Sequence, residues 1–210
     1  MKLFDVTVPL RGDLPTYAGE PGVTLDYHER LERGDPYNVS TISLGSHTGT
    51  HIDAPYHFID GASTVEELPL EALVGPCVVI EHSGDAHVSA DDLDRAGLPP
   101  DTTRLLIKTT NSNLWDDNQF HEDYIALTAD AARWIVDREI VLVAIDYMSI
   151  EEFGATTFVV HETLLQRNVV ILEGVDLRAV RPGHYQMVCA PLLVVGAEGA
   201  PARVLLWTDD

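Results

Sequence analysis

Short apolar runs alternate with amphipathic stretches along most of the chain, and their periods predict the elements. The run VGPCVVIEH at 74–82 has the apolar, β-branched character of a strand. It is followed by SADDLDRAG at 89–97, which reads as a helix with Ser89 as N-cap and Asp92 at the capping-box position. RLLIKT at 104–109 predicts the next strand. TADAARWIVDR at 128–138 predicts a second helix, with Thr128 as cap and apolar residues spaced by three and four. IVLVAID (140–146) follows as a strand, HETLLQRN (161–168) as a helix and VVILEG (169–174) as a strand, and YQMVCAPLLVVG and ARVLLW add two more strands. Apolar strands alternating with short helices predict an α/β domain with buried strands. The N-terminal third is rich in strands and loops, so a regular doubly wound sheet does not follow.

Length and charge narrow the class. With 210 residues and no linker or shift of composition, one domain over 1–210 is expected. The start, MKLFDVTVPL, carries Asp5 and no apolar h-region, and the longest apolar runs, such as VVIL at 169–172, are far too short to span a bilayer. A soluble, cytoplasmic protein with no membrane contact is therefore expected. Cys77 and Cys189 are too few and too isolated for a disulfide framework or a Cys-based zinc site and read as buried free thiols. The formal net charge of −21 repels nucleic acid and anionic membrane at long range.

The candidate chemistry is concentrated in SHTGTHIDAPYHF, residues 46–58, which holds His47, His51, Asp53 and His57. Thr48, Gly49, Thr50 and Pro55 all oppose a helix there, whereas in an extended chain the four odd positions share one face. Straight extension would still separate His47 from His51 by about 13 Å, too far for one ion with bonds near ~2 Å. The chain must bend between them, and Gly49 is the residue that allows it, through a bulge or a positive φ. One such histidine alone reads as a surface or satisfied core residue. Four polar groups on one face are different, because desolvating imidazoles and a carboxylate together is costly and a divalent metal removes that cost. The rigid step at Pro55 holds His57 away from the first three, as either a fourth ligand or a nearby acid–base group. Farther along, Glu173 closes a buried strand and needs a partner or a cation, and His161 opens the preceding helix where an imidazole can face inward. Asp146 ends its strand as an acceptor for loop amides. His28, His82, His87, His121 and His184 read as surface histidines.

HTGTHIDAPYHF, AIDYMSI and the later HETLL and VVILEGVDL together resemble the "Putative cyclase" family of metal-dependent hydrolases, which includes bacterial kynurenine formamidase and isatin hydrolase. The likeness runs from FDVTVPL to the last strands. It implies a swivelling β/β/α domain and two divalent metal ions, zinc or manganese. His47, His51 and Asp53 would hold one ion, Asp53, His161 and Glu173 the second, and His57 would be the catalytic acid–base. It also implies a homo-oligomer, dimer or tetramer, acting on a small molecule. The reaction it implies is hydrolysis of a C–N bond in a small amide, first an aryl formamide such as N-formylkynurenine, second a cyclic amide, imide or lactone. Two departures leave the substrate open: YAGEPG at 17–22 stands where the family commonly has a Pro-Gly-Asp-type turn, and HTGTH is the generic family form.

A different class competes for the same residues. His51, Asp53 and His161 imitate the two-histidine, one-carboxylate triad of non-haem iron oxygenases. That triad leaves His47 and Glu173 without roles, and none of Arg167, Arg178, Arg181 and Arg203 stands in the Arg-x-Ser/Thr context that a 2-oxoglutarate cosubstrate needs. A structural metal site in a binding protein fits less well still, since such sites favour closed four-coordinate shells.

Overall fold

The structure is a computed structural model that describes residues 1–208. The chain opens with β1 (Lys2–Asp5), followed by β2 (Thr24–Glu29) and β3 (Val39–Ser43), which pair only with each other. Next come β4 (His51–Asp53), the short α1 (Leu70–Leu73), β5 (Val74–Glu81) and α2 (Ala90–Ala96). β6 (Arg104–Lys108), α3 (Ala129–Asp137), β7 (Leu142–Ile145), α4 (Val159–Leu165) and β8 (Val170–Glu173) complete the alternating part. The long strands β9 (Gly183–Pro191) and β10 (Gly199–Thr208) finish it.

Strands β5, β6, β7 and β8 pair in parallel, as crossover helices require. The sheet then continues antiparallel through β4 to β10, and β10 also pairs with β9, which pairs with β5. This last contact closes seven strands into a barrel, with β1 added outside on β10. The expected α/β order of strands and helices holds, and the sheet closes into a mixed barrel in place of the regular doubly wound sheet that the N-terminal third argued against.

Strand alternation sorts the side chains between two cores. Ile52, Leu106, Leu142, Ala144, Val170, Leu172 and Val204 fill one apolar cluster, whereas Leu105, Ile107, Val143, Ile145 and Ile171 pack against Leu93, Ile135, Val160 and Leu164 of the helices. The helix caps follow the sequence: Ser89 and Asp92 form a capping box on α2, and the Thr128 side chain accepts from Ala131 N–H on α3. Helix α4 begins at Val159, two residues before the expected His161, and its N-cap Phe158 supplies no side-chain bond. Instead the carboxylate of Glu151 accepts from the Val160 and His161 amides, a long-range cap that no local pattern announces. Cys77 and Cys189 are free and buried as expected. Asp146 is likewise a brace, accepting from the amides and hydroxyls of Thr109 and Ser112 at 2.7–3.1 Å.

Candidate metal centre

The site is built where β4 meets β8. Their antiparallel register sets His51 directly opposite Glu173 and Asp53 opposite Ile171. Since Ile52 and Leu172 turn to the cluster that holds Leu106 and Val204, His51, Asp53 and Glu173 turn the other way, onto the face that α4 covers. His161, the third residue of α4, comes down on that face from above.

The bend expected before His51 is present. Gly49 has φ +68°, and it brings the rings of His47 and His51 to 5.0 Å between centroids instead of an extended chain's separation. The same bend aims the second histidine: His51 Nδ1–H donates to the Gly49 carbonyl at 2.9 Å, which leaves Nε2 free toward the carboxylates. Thr50 fixes the bend from behind, donating to the Gly174 carbonyl at 2.6 Å while accepting from Val8 N–H at 2.8 Å. Gly174 has no room for a side chain, since a Cβ there would lie 2.2 Å from the Gly49 oxygen. Only the segment from His51 to Asp53 is strand, and His57 ends a 3-10 turn running Pro55–His57, so the four residues do not share one extended face. The turn forms because Pro55 stands at its first position with φ already set.

Two groups of potential ligand atoms result, one of His47, His51 and Asp53 and one of Asp53, His161 and Glu173, with the atoms of each group within 4.8 Å of one another. Asp53 is common to both. His51 Nε2 stands 3.6 Å from Asp53 Oδ1 and 3.3 Å from Glu173 Oε2, and His161 Nε2 stands 3.7 Å from Asp53 Oδ2 and 3.4 Å from Glu173 Oε1. Asp53 and Glu173 are 0% and 3% exposed.

These donors fit a metal by what they leave unsatisfied. Among the described residues, His47 Nε2, His51 Nε2 and both Asp53 oxygens are buried and have no hydrogen-bond partner. Even His47 Nδ1, 2.8 Å from Asp53 Oδ1, lies off the line of a hydrogen bond. Buried polar atoms left without partners each cost a desolvation, which a cation held among them would remove. The imidazoles and carboxylates also shift one another's ionisation. Burial alone would lower His47, yet contact with Asp53 and the charges of Asp53, Glu173 and Glu198 hold it up at about 9. For His161, burial is outweighed by Glu151 and Glu173, which hold it up at about 10. Asp53 and Glu173 are both pushed up by burial and pulled down further by the imidazoles around them, with a net lowering.

His57 belongs to neither group. Its ring stacks on His47 at 4.1 Å, touches Phe58 edge-on at 4.5 Å and lies 6.0 Å from His161. Its pKa is lowered, first by burial and then by the neighbouring imidazoles, so the ring is neutral at pH 7. Sequence reasoning missed two other carboxylates. Glu198 accepts from the Ser46 hydroxyl at 2.6 Å and stands 3.4 Å from His47 Nε2, and Glu151 lies 3.1 Å from His161 Nδ1. Glu198 lies between small residues in GAEGA and Glu151 beside a second glutamate, so nothing local marks either.

A family model described as "Putative cyclase" matches residues 4–152. Cyclase-like protein 3 of Oryza sativa subsp. japonica is 33% identical over 216 residues, covering 98% of this chain and 79% of that protein. The kynurenine formamidase of Maricaulis maris (strain MCS10) is 32% identical over 206 residues, covering 98% and 97%. A solved structure described as a predicted metal-dependent hydrolase from Bacillus stearothermophilus superposes with a TM-score of 0.83 at 37% identity, covering 98% of this chain and 97% of that one. Isatin hydrolase A from Labrenzia aggregata shares the fold, with a TM-score of 0.84 at 24% identity over 100% and 94%.

Proposed function

Since the chain belongs to the cyclase family of metal-dependent hydrolases, we propose that it hydrolyses a C–N bond in a small amide, with an N-formyl aryl amide as the first candidate. The observation that carries this reading is the pair of donor sets sharing Asp53, with one neutral imidazole, His57, beside them and in neither. His47, His51 and Asp53 would hold one divalent ion and Asp53, His161 and Glu173 another, zinc or manganese by the mixed imidazole and carboxylate donors. Such ions supply a Lewis acid for a carbonyl oxygen and a water acidified toward neutrality.

The chain's own residues would do the rest. His57, uncharged and packed against His47, accepts a proton as water oxygen bonds to the carbonyl carbon. It returns that proton to the departing nitrogen as the C–N bond breaks. Phe58, stacked on His161 at 4.6 Å with Phe158 5.2 Å beyond, gives the site an aromatic flank that suits an aryl group. The second reading, opening of a cyclic amide, imide or lactone, uses the same groups and is supported by the isatin hydrolase fold. An iron oxygenase using His51, Asp53 and His161 would leave His47 and Glu173 idle within reach of the same centre. A screen of N-formylkynurenine, isatin and simple lactones with zinc- and manganese-loaded protein decides among these. Turnover of the formamide above the others is the expected result, and oxygen consumption without hydrolysis would reject the hydrolase.

The same reading takes the chain as one domain over 1–210, cytoplasmic, and assembled as a homo-oligomer. The pairing of β1 with β10 supports the first, by joining the two ends in one sheet. No helix of the described residues is long and apolar enough to cross a membrane. Exposed apolar residues support assembly: Leu193 and Val195 are 78% and 81% exposed, beside a groove lined by Val8, Leu10, Ile42, Leu44 and Leu192. Light scattering is expected to give a dimer or tetramer, and a strict monomer would refute the assembly.

A further inference from the structure

The turn after β7 does more than connect it to α4. Within three residues it touches two of the three side chains in the Asp53, His161 and Glu173 group. Ile150 N–H donates to Glu173 Oε1 at 2.6 Å, and Glu151 Oε2 lies 3.1 Å from His161 Nδ1. The Glu151 carboxylate also accepts from Val160 N–H at 3.0 and 3.2 Å and from His161 N–H at 3.1 Å, while its own amide donates to the Ser149 hydroxyl at 3.1 Å. Glu151 is buried, and among the described residues it forms no ion pair with a lysine or arginine. The adjacent Glu152 is exposed and faces away, 3.3 Å from His87.

A buried carboxylate is costly unless its oxygens are filled, and three amide bonds with one ring N–H fill this one. The amide bonds explain the start of α4. They do not explain the fourth contact, to the imidazole. An imidazole whose Nδ1–H is held by a carboxylate has its Nε2 lone pair free and its ring rotation stopped. Nε2 is the atom that stands between Asp53 and Glu173.

We propose that Glu151 is a positioning residue that holds His161 Nδ1–H and so turns Nε2 toward the ion shared by Asp53, His161 and Glu173. The proposal rests on the two-ion reading above. Gly49 does the same for His51 with a backbone carbonyl, so each buried histidine of the site has its outer nitrogen fixed, one by main chain and one by a carboxylate.

The test compares zinc binding by wild type, Glu151→Ala, Glu151→Gln and His161→Ala, using competition with a chromophoric chelator, with melting of the metal-free proteins alongside. Loss of an outer partner typically weakens a metal about 10- to 100-fold. Glu151→Ala is expected to lose that much for one ion only, with the other unchanged. Glu151→Gln keeps an oxygen for the ring N–H and is expected to restore most of the affinity. Equal weakening of both ions, in step with a lowered melting temperature, would reduce Glu151 to a helix cap and overturn the proposal, as would wild-type affinity for both ions in Glu151→Ala. One ion in the wild type would sink the two-ion reading instead. The positioning role would then stand if Glu151→Ala weakens that ion and His161→Ala abolishes it, and fall if neither variant affects it.

Discussion

Asp53→Ala is expected to come off purification with fewer than one ion per chain and with hydrolysis at background. The reason is its place in the geometry, since Asp53 alone belongs to both donor sets and both of its oxygens are buried without hydrogen-bond partners. If two ions are held as proposed, removing it would take an oxygen from each at once, whereas a lost acid–base group would cost only roughly 10²- to 10⁴-fold in rate. Metal analysis beside a rate assay checks this, and two ions retained per chain would show that Asp53 does not bridge. The variant also has a signature without metal. His47 is held above its ordinary 6.5, at about 9, so this pairing contributes fully below 6.5 and is lost as pH rises through about 9. Asp53 is held below its ordinary 3.8, so its side of the pairing is present above that value and lost at lower pH. Chelator-treated wild type should therefore exceed chelator-treated Asp53→Ala in stability most between those two ordinary values, with the gap closing above about pH 9.

What could be seen in the sequence follows the range over which each feature is encoded. Helices α2 and α3 were legible because Ser89, Asp92 and Thr128 cap them within three residues. The bend at Gly49 was legible because two histidines four positions apart cannot meet otherwise. Barrel closure was not, since it depends on β9 reaching both β5 and β10, and an apolar strand reads alike in an open sheet and a closed one. His161 and Glu173 could be suspected only from their buried contexts, and their grouping with Asp53 came from family resemblance. The register of β4 on β8 and the descent of α4 supply the physical reason. The shared face drawn through the four odd positions held with the expected bend at Gly49 but failed at its far end, because Pro55 coils the chain after Asp53 and carries His57 off the strand.

His57→Ala is expected to separate catalyst from ligand. The ring lies on a 3-10 turn started by Pro55, stacked on His47, and no atom of it joins either donor set. Its removal should leave the metal content unchanged, lower kcat by roughly 10²- to 10⁴-fold and change KM less, because a proton carrier acts in the transition state more than in substrate binding. Burial first, then the imidazoles of His47 and His161, keep its pKa below the ordinary 6.5, so the neutral form dominates at pH 7 and is lost only as the solution becomes acidic. The wild-type kcat/KM should accordingly fall along an acid limb with its midpoint below 6.5, and that limb should be missing from the residual activity of the variant. An exposed histidine would place the limb at 6.5 or above, so its position reports the burial as well as the role. Metal content and a pH profile on one preparation settle the matter. If His57→Ala is purified without metal, His57 is a ligand, and the proton must be carried by another group at the centre, with Glu173 the next to be substituted.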